Sequence, residues 1–246
     1  MTAVVSTFFA PEPPVAGAAA TLGEDAAHHA RVKRLEVGER VRLVDGQGAV
    51  GEGRIVRLAR QHLVVDVDGV TEQQQPAAVH VVVPIADRDR MLLLAEKCVE
   101  LAAASWRPVL FRRSRSVQGR GEGNTFGMKV RARMVAALEQ CGGAWLPVIY
   151  PEATVDRAIA ALPAGGTRTL LDQRGGPARA SGMLAPAIVA VGPEGGIEDD
   201  ERQLLVAAGF APVRVGASVL RFETAAIAAL AIARVALDPQ PEGANA

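Results

Sequence analysis

The chain has 246 residues, 49% of them hydrophobic, with 27 basic and 27 acidic side chains. That length and apolar content allow one large domain or two ordinary ones with a sizeable core, and the cancelling charges exclude a uniformly basic nucleic-acid binder. Two cysteines, Cys98 and Cys141, show neither CxxC spacing nor a disulfide framework, so a reducing cytoplasm is expected, with each cysteine in the core of a helix. The opening residues lack a basic segment followed by a long apolar core. The Ala-rich run near the end is broken by Arg234, short of the ~20 apolar residues a membrane span needs, so the expectation is a soluble cytoplasmic protein with no membrane partner. No carboxylate or cysteine recurs at ligand spacing around His28, His29, His62 or His80, and no metal is expected.

Residues 4–9 read as a first strand and 11–14, with three prolines, as a loop that cannot pair in a sheet. Glu24 and Asp25 open a short helix that closes on Arg31, Lys33 and Arg34, the acid-first, base-last order favoured by the helix dipole. Residues 39–44, 50–58 and 62–67 are strand-like segments separated by hairpin signals, the first of them the turn Asp45-Gly46-Gln47-Gly48. A small β domain over 1–72 follows from this. Residues 71–77, with three consecutive glutamines and Pro76, form a linker to a second domain, 78–246.

The second domain opens with a strand over 79–83. Over 90–104, Met91, Leu94, Ala95, Cys98, Leu101 and Ala102 repeat at helical spacing, with Lys97 and Glu100 together on the other side, either as a solvated ion pair or as functional groups. A strand over 108–111, a glycine-rich loop over 119–127, helices over 129–141 and 154–162 and a strand over 167–171 follow. Strands alternate with helices throughout, which argues an α/β layered sheet. Between Arg107 and Arg133 eight basic residues face one acid, Glu122, a local positive field.

The chain is organised around 187–236. The apolar run 187–191 reads as a strand buried on both faces. It stops at Gly192-Pro193-Glu194-Gly195-Gly196, whose glycines let the backbone turn sharply and approach a ligand. Acids at 199–201 suit the first turn of a helix with Leu204, Leu205 and Ala208 on its apolar stripe, ending at Gly209. A strand over 213–215 leads through Gly216 to Leu220-Arg221-Phe222-Glu223-Thr224-Ala225. The glycine turn could equally be an ordinary strand-to-helix connection or a phosphate site. No P-loop Gly-Lys-Ser/Thr and no GxGxxG is present, and the acids at 198–201 would repel phosphate.

Gly192-Pro193-Glu194-Gly195-Gly196 with Glu201 five residues on, followed by Leu220-Arg221-x-Glu223-Thr224-Ala225, resembles the signature of the bacterial 16S ribosomal RNA (uracil-N3) methyltransferases of the SPOUT superfamily. Weaker matches, among them Val32-x-Arg34, Gly38, Asp45-Gly46, Glu100-Leu101, Arg115-Ser116-Val117 and Glu139-Gln140-Cys141-Gly142, extend the resemblance over almost the whole chain. It implies a PUA-like β-barrel domain ahead of an α/β SPOUT domain whose C-terminal part is a deep trefoil knot, which connection rules alone would make improbable. It implies S-adenosylmethionine as cofactor, held by loops beginning at Leu171, Gly192 and Val215 and by Glu194, Gly195, Gly196, Leu220 and Thr224. The partner it implies is 16S ribosomal RNA or the small ribosomal subunit. The chain departs from the family at Gly143 and Ser218, where arginine is usual, at Ala102, where glycine is usual, and at Phe222, which is bulkier than usual.

The implied reaction sets the demands on the site. Uracil N3 carries a proton that must leave before or during attack, so a base, or cations facing the carbonyl oxygens, would lower the barrier. Arg221 is the candidate cation; Glu194 and Glu223 compete as base, against the alternative roles of fixing the loop and capping the last helix. Holding both substrates in register could itself supply much of the acceleration. Arg34, Arg112, Arg113 and Arg115 are the candidate RNA-binding residues, with the β domain. A non-catalytic RNA-binding assembly factor with a degenerate knot, or a phosphate-binding α/β protein, would each keep some of these features. From 224 to 236 the chain is apolar nearly all round a helix, and a homodimer covering that helix is expected.

Overall fold

The computed structural model describes residues 5–114 and 125–238. Two compact units emerge: Met1–Gln75 with Val135–Leu146, and Pro76–Met134 with Pro147–Ala246.

The first unit contains β1 (Ser6–Phe9), β2 (Ala19–Leu22), α1 (Glu24–Val32), β3 (Arg40–Val44), β4 (Ala49–Leu58) and β5 (Leu63–Glu72). They form a sheet of order β1-β3-β4-β5-β2, with β1 parallel to β3 and the other pairs antiparallel. Alternate residues of β4 and β5 point inward, so Ile55, Leu63, Val65 and Val67 join Phe8, Leu43 and the α1 alanines Ala27 and Ala30 in one core. The Asp45 carboxylate accepts from the amides of Gln47 and Ala49 at 2.7 and 3.1 Å, which shapes the turn between β3 and β4. The strand β2 is not visible as a β-rich run, because Ala-Ala-Thr-Leu carries one β-branched residue. Residues 135–146 complete the unit: Glu139 accepts from the amide of Phe9 at 2.9 Å and meets His29 Nδ1 at 3.1 Å, and Arg42 donates to the carbonyl of Gly142.

The second unit holds β6 (Val79–Pro84), α2 (Arg88–Glu100), β7 (Ser105–Leu110), most of α3 (Thr125–Cys141), β8 (Val148–Ile149), β9 (Ala153–Thr154), α4 (Val155–Ala160), β10 (Thr167–Pro177), β11 (Ala187–Val191), α5 (Asp199–Ala207), β12 (Ala211–Arg214) and α6 (Phe222–Leu237). Its sheet runs β12-β10-β11-β6-β7-β8, with β9 also on β7, and all pairs are parallel. Every residue of β11 is buried, as its unbroken apolar run predicts. Val82, Val109, Phe111, Leu170, Ile188 and Ala190 pack with Leu205 and Phe210 in one core cluster, while α6 lies against α2, β6 and β11. After the edge strand β12 the chain therefore returns to the middle of the sheet.

Several sequence expectations change here. Cys98 is buried, but Cys141 is exposed at the end of its helix, beyond the apolar stripe. Lys97 pairs with Glu96 at 2.8 Å and Glu100 at 2.7 Å, the solvated ion pair of the two alternatives. The strand expected over 108–111 starts earlier, at Ser105, because the polar Ser105 and Arg107 have interior partners. Arg107 is buried, donating to Ser105 Oγ at 3.1 Å and the Ala161 carbonyl at 2.9 Å, with its guanidinium 3.6 Å from the Tyr150 ring centroid. It therefore contributes nothing to a positive surface. Most of the loop expected over 119–127 lies outside the described residues, and α3 begins at Thr125.

Two helices end with a residue other than glycine in the left-handed region. Beyond α1, Arg34 has φ 57°, with its amide on the Arg31 carbonyl and that of Leu35 on the Ala30 carbonyl. Beyond α2, Ala102 has φ 50°, with its amide on Val99 and that of Ala103 on Cys98. Both are Schellman caps, whose left-handed position usually takes glycine.

Candidate functional site

At the ends of three parallel strands the second unit opens into a cavity of about 750 Å³. Residues 171–174 within β10, 191–194 and 196–199 from the end of β11 to the start of α5, and 213–215 at the end of β12 line it, together with 219–222 and Ala225 at the start of α6, and Arg113. Ligands characteristically sit outside the carboxyl ends of the strands in a parallel sheet.

The glycine turn is built for close packing. A Cβ on Gly192 would run into the Ile197 side chain, and Gly196 has φ 81°. The room at Gly195 differs from the sequence expectation: a Cβ there would come 3.1 Å from Cβ of Arg113, so the nearest neighbour is that side chain. Arg113 grips the turn, donating to Glu198 from Nε at 2.7 Å and Nη2 at 3.0 Å and to the Gly195 carbonyl from Nη1 at 3.1 Å. Arg112 forms an ion pair with Asp200. Of the candidate RNA-binding residues these two have acidic partners on or beside α5; Arg34 lies in the first unit, and Arg115 is outside the described residues.

Leu171, Gly192, Glu194, Gly196, Val215, Leu220 and Arg221 all line the cavity, brought together from three separate stretches of chain. Gly195, Glu223 and Thr224 are not among its lining residues. Arg221, at the N-cap of α6, is exposed and its side chain makes no ion pair or hydrogen bond among the described residues, and the same holds for the side chain of Arg214. Glu194 pairs with Arg90 of α2. Glu223 is buried, with Oε1 3.9 Å from Arg90 Nε and Oε2 without a hydrogen-bond partner.

Sequence reasoning did not find Arg90, Asp172, Arg174 or Arg214. Burial pushes the Asp172 carboxyl up, but hydrogen bonds from the Arg202 side chain and from the amide and side chain of Arg174 outweigh it and hold the group below the usual carboxylate range. These partners lie 30 and 2 residues away, and no motif marked them.

Leu171, Val191, Val213, Val215, Leu220 and Phe222 give the cavity apolar surface, and its charged lining is mixed, with Asp172, Glu194, Glu198 and Asp199 beside Arg113, Arg174, Arg214 and Arg221. Closely approaching backbone at Gly192 and Gly196 can read a base edge through main-chain groups. Among the described residues no group of three or more His, Cys, Asp or Glu could hold a metal ion, and no helix is long and apolar enough to cross a membrane.

A family model described as RNA methyltransferase domain matches residues 73–234, and one described as RNA methyltransferase PUA domain matches residues 22–68. In sequence the chain is similar to the Ribosomal RNA small subunit methyltransferase E of Synechocystis sp., 29% identical over 210 residues that cover 82% of this chain and 67% of that protein. It is 28% identical over 246 residues to the protein of the same name from Mycobacterium tuberculosis, covering 92% and 90% of the two chains. In structure it is similar to the Ribosomal RNA small subunit methyltransferase E from Neisseria gonorrhoeae bound to S-adenosyl methionine, with TM-score 0.82, 26% identity and 92% and 95% of the chains covered. A Legionella pneumophila protein in complex with the bound cofactor SAM gives TM-score 0.83 at 26% identity, covering 94% and 98%.

Proposed function

The chain belongs to the RNA methyltransferase domain family, with a PUA domain ahead of a SPOUT-type α/β domain, and on that premise we propose that it methylates N3 of a uridine in 16S ribosomal RNA, with S-adenosylmethionine as donor. The observation that carries this reading is the convergence of three backbone loops on one cavity with an exposed, unpartnered arginine, Arg221, in its wall. The donor supplies an electrophilic methyl group on a sulfonium. Everything else falls to the chain's own residues.

Leu171, Gly192, Glu194, Gly196, Val215 and Leu220 bind and orient the donor, with Gly195 and Thr224 supporting them from just behind the wall. Arg221 donates to a uracil carbonyl oxygen or to a backbone phosphate, stabilising the negative charge that develops as N3 loses its proton. Pairing with Arg90 supports the loop-fixing role for Glu194. Glu223, with one oxygen unpartnered, keeps its candidacy as the proton acceptor. The intact cavity removes the motive for an assembly factor that has lost catalysis.

For RNA, we assign Arg34 in the domain 1–72 and Arg112, Arg113 and Arg115 in the domain 78–246 to phosphate contacts. The α6 face that carries Thr224, Ile227, Ala228, Ala231, Ile232 and Val235 is part or fully exposed in the single chain, which supports a homodimer sealed there. The cytoplasm, where ribosomal RNA is modified, is the compartment that fits.

Calorimetric titration with S-adenosylmethionine and with ATP tests the reading: only the first should bind. Mass spectrometry of 16S RNA from a deletion strain should then show the loss of one methyluridine, restored by the wild-type gene. Binding of ATP, or RNA unchanged on deletion, refutes the assignment.

A further inference from the structure

Arg90 joins the two segments that carry the candidate carboxylates. It sits in the first turn of α2, its amide donating to Asp87 Oδ1 at 3.1 Å, so its backbone is anchored by the helix cap. Its guanidinium pairs with Glu194 in the glycine turn and approaches Glu223 in the first turn of α6 at 3.9 Å. The Glu223 side chain is only 7% exposed, and its second oxygen has no hydrogen-bond partner among the described residues. One cation therefore faces two acids, one of them buried with an unpartnered oxygen. A buried carboxylate in that condition is costly without a nearby positive charge. Arg90 does not itself line the cavity, whereas Glu194 does, and so do Phe222 and Ala225 on either side of Glu223.

We propose that Arg90 is a positioning residue that ties the glycine turn to the start of α6, so that the donor-binding walls take their geometry from one guanidinium. The proposal rests on the methyl-transfer reading for what the walls bind. A planar guanidinium offers donors to both acids, while the point charge of lysine serves one at a time. Without the cation, Glu194 and Glu223 repel each other and the two walls separate.

The test uses the full-length variants Arg90→Met and Arg90→Lys, checked as folded by circular dichroism and studied well below their melting temperatures. Amide hydrogen exchange over 192–199 and 220–226 should speed up about tenfold or more in Arg90→Met, with Arg90→Lys intermediate. Donor Kd and donor KM should rise by a similar factor, with kcat changing less, and adding Glu223→Gln to Arg90→Met should recover part of the loss by removing the uncompensated charge. Wild-type exchange rates in both variants would overturn the tie, and so would an unchanged donor Kd in a folded Arg90→Met protein. If Arg90→Met does not fold, Arg90→Lys decides by the same two readouts. A wild-type protein that binds no donor would refute the methyl-transfer reading instead, and the exchange rates would still test the tie.

Discussion

The amide of Arg112 donates to the carboxylate of Glu201 at 2.9 Å, across 89 residues of sequence. The other oxygen of Glu201 accepts from the amide of Glu198 at 3.2 Å, so one buried side chain closes the first turn of α5 and anchors the segment that carries Arg113.

Replacing Glu201 should therefore act on stability and on the cavity together. Glu201→Ala leaves two amides without their acceptor and should cost about 2 kcal/mol in urea denaturation, from lost charged hydrogen bonds. Donor affinity should fall as well, because Arg113 loses the anchored backbone from which it grips Gly195. An equal donor affinity in the two proteins would separate the anchor from the site.

The two left-handed caps make opposite uses of the same geometry. Ala102→Gly should stabilise the protein by about 1 kcal/mol, since an L side chain in that region costs about that much. Arg34→Gly should stabilise by a similar amount yet weaken RNA binding and lower its salt dependence by about one charge. Thermal unfolding and filter binding at several salt concentrations read the two quantities. A stabilised Arg34→Gly protein with unchanged RNA affinity would remove Arg34 from the RNA surface.

At the glycine turn the two substitutions should differ in mechanism. Gly196→Val forces a β-branched residue to a positive φ on the cavity wall and should raise donor Kd by more than about tenfold in a folded protein. Gly195→Val should act by displacing Arg113, so that the double variant Gly195→Val with Arg113→Ala binds donor no worse than Gly195→Val alone. Calorimetry of the three proteins distinguishes these routes.

Arg221→Ala should leave donor affinity within about threefold and lower turnover about a hundredfold, the magnitude for removing one preorganised donor to developing charge. Single-turnover methylation of RNA alongside donor titration measures both. A loss confined to donor binding would reassign Arg221 to the cofactor.

The parts of this molecule with strong periodicity were legible in the sequence. The all-apolar β11, the strand-like segments that become β4 and β5, and the glycine turn each announce themselves within a few residues. The second half of β10 did not, because Asp-Gln-Arg-Gly-Gly-Pro reads as loop and pairs with β12 only through a shifted register. Arg90 was invisible for a different reason. Its partners stand 104 and 133 residues downstream, and a charged residue in the first turn of a helix looks like any solvated side chain until the fold brings them together. Motifs located the walls of the cavity, but the contacts behind the walls depend on tertiary placement.

The first unit is made from two stretches of chain, and this limits how it can be moved between proteins. Phe9 and His29 find Glu139, Arg42 finds the Gly142 carbonyl, and the Trp145 indole donates to the Gln73 carbonyl at 3.1 Å. A gene fragment ending at residue 75 would encode every strand of that sheet and still lack all three of those partners. Such a unit is poorly suited to recombination as a cassette. Grafting it onto another enzyme requires transplanting residues 135–146 as well, and a single crossover cannot do that.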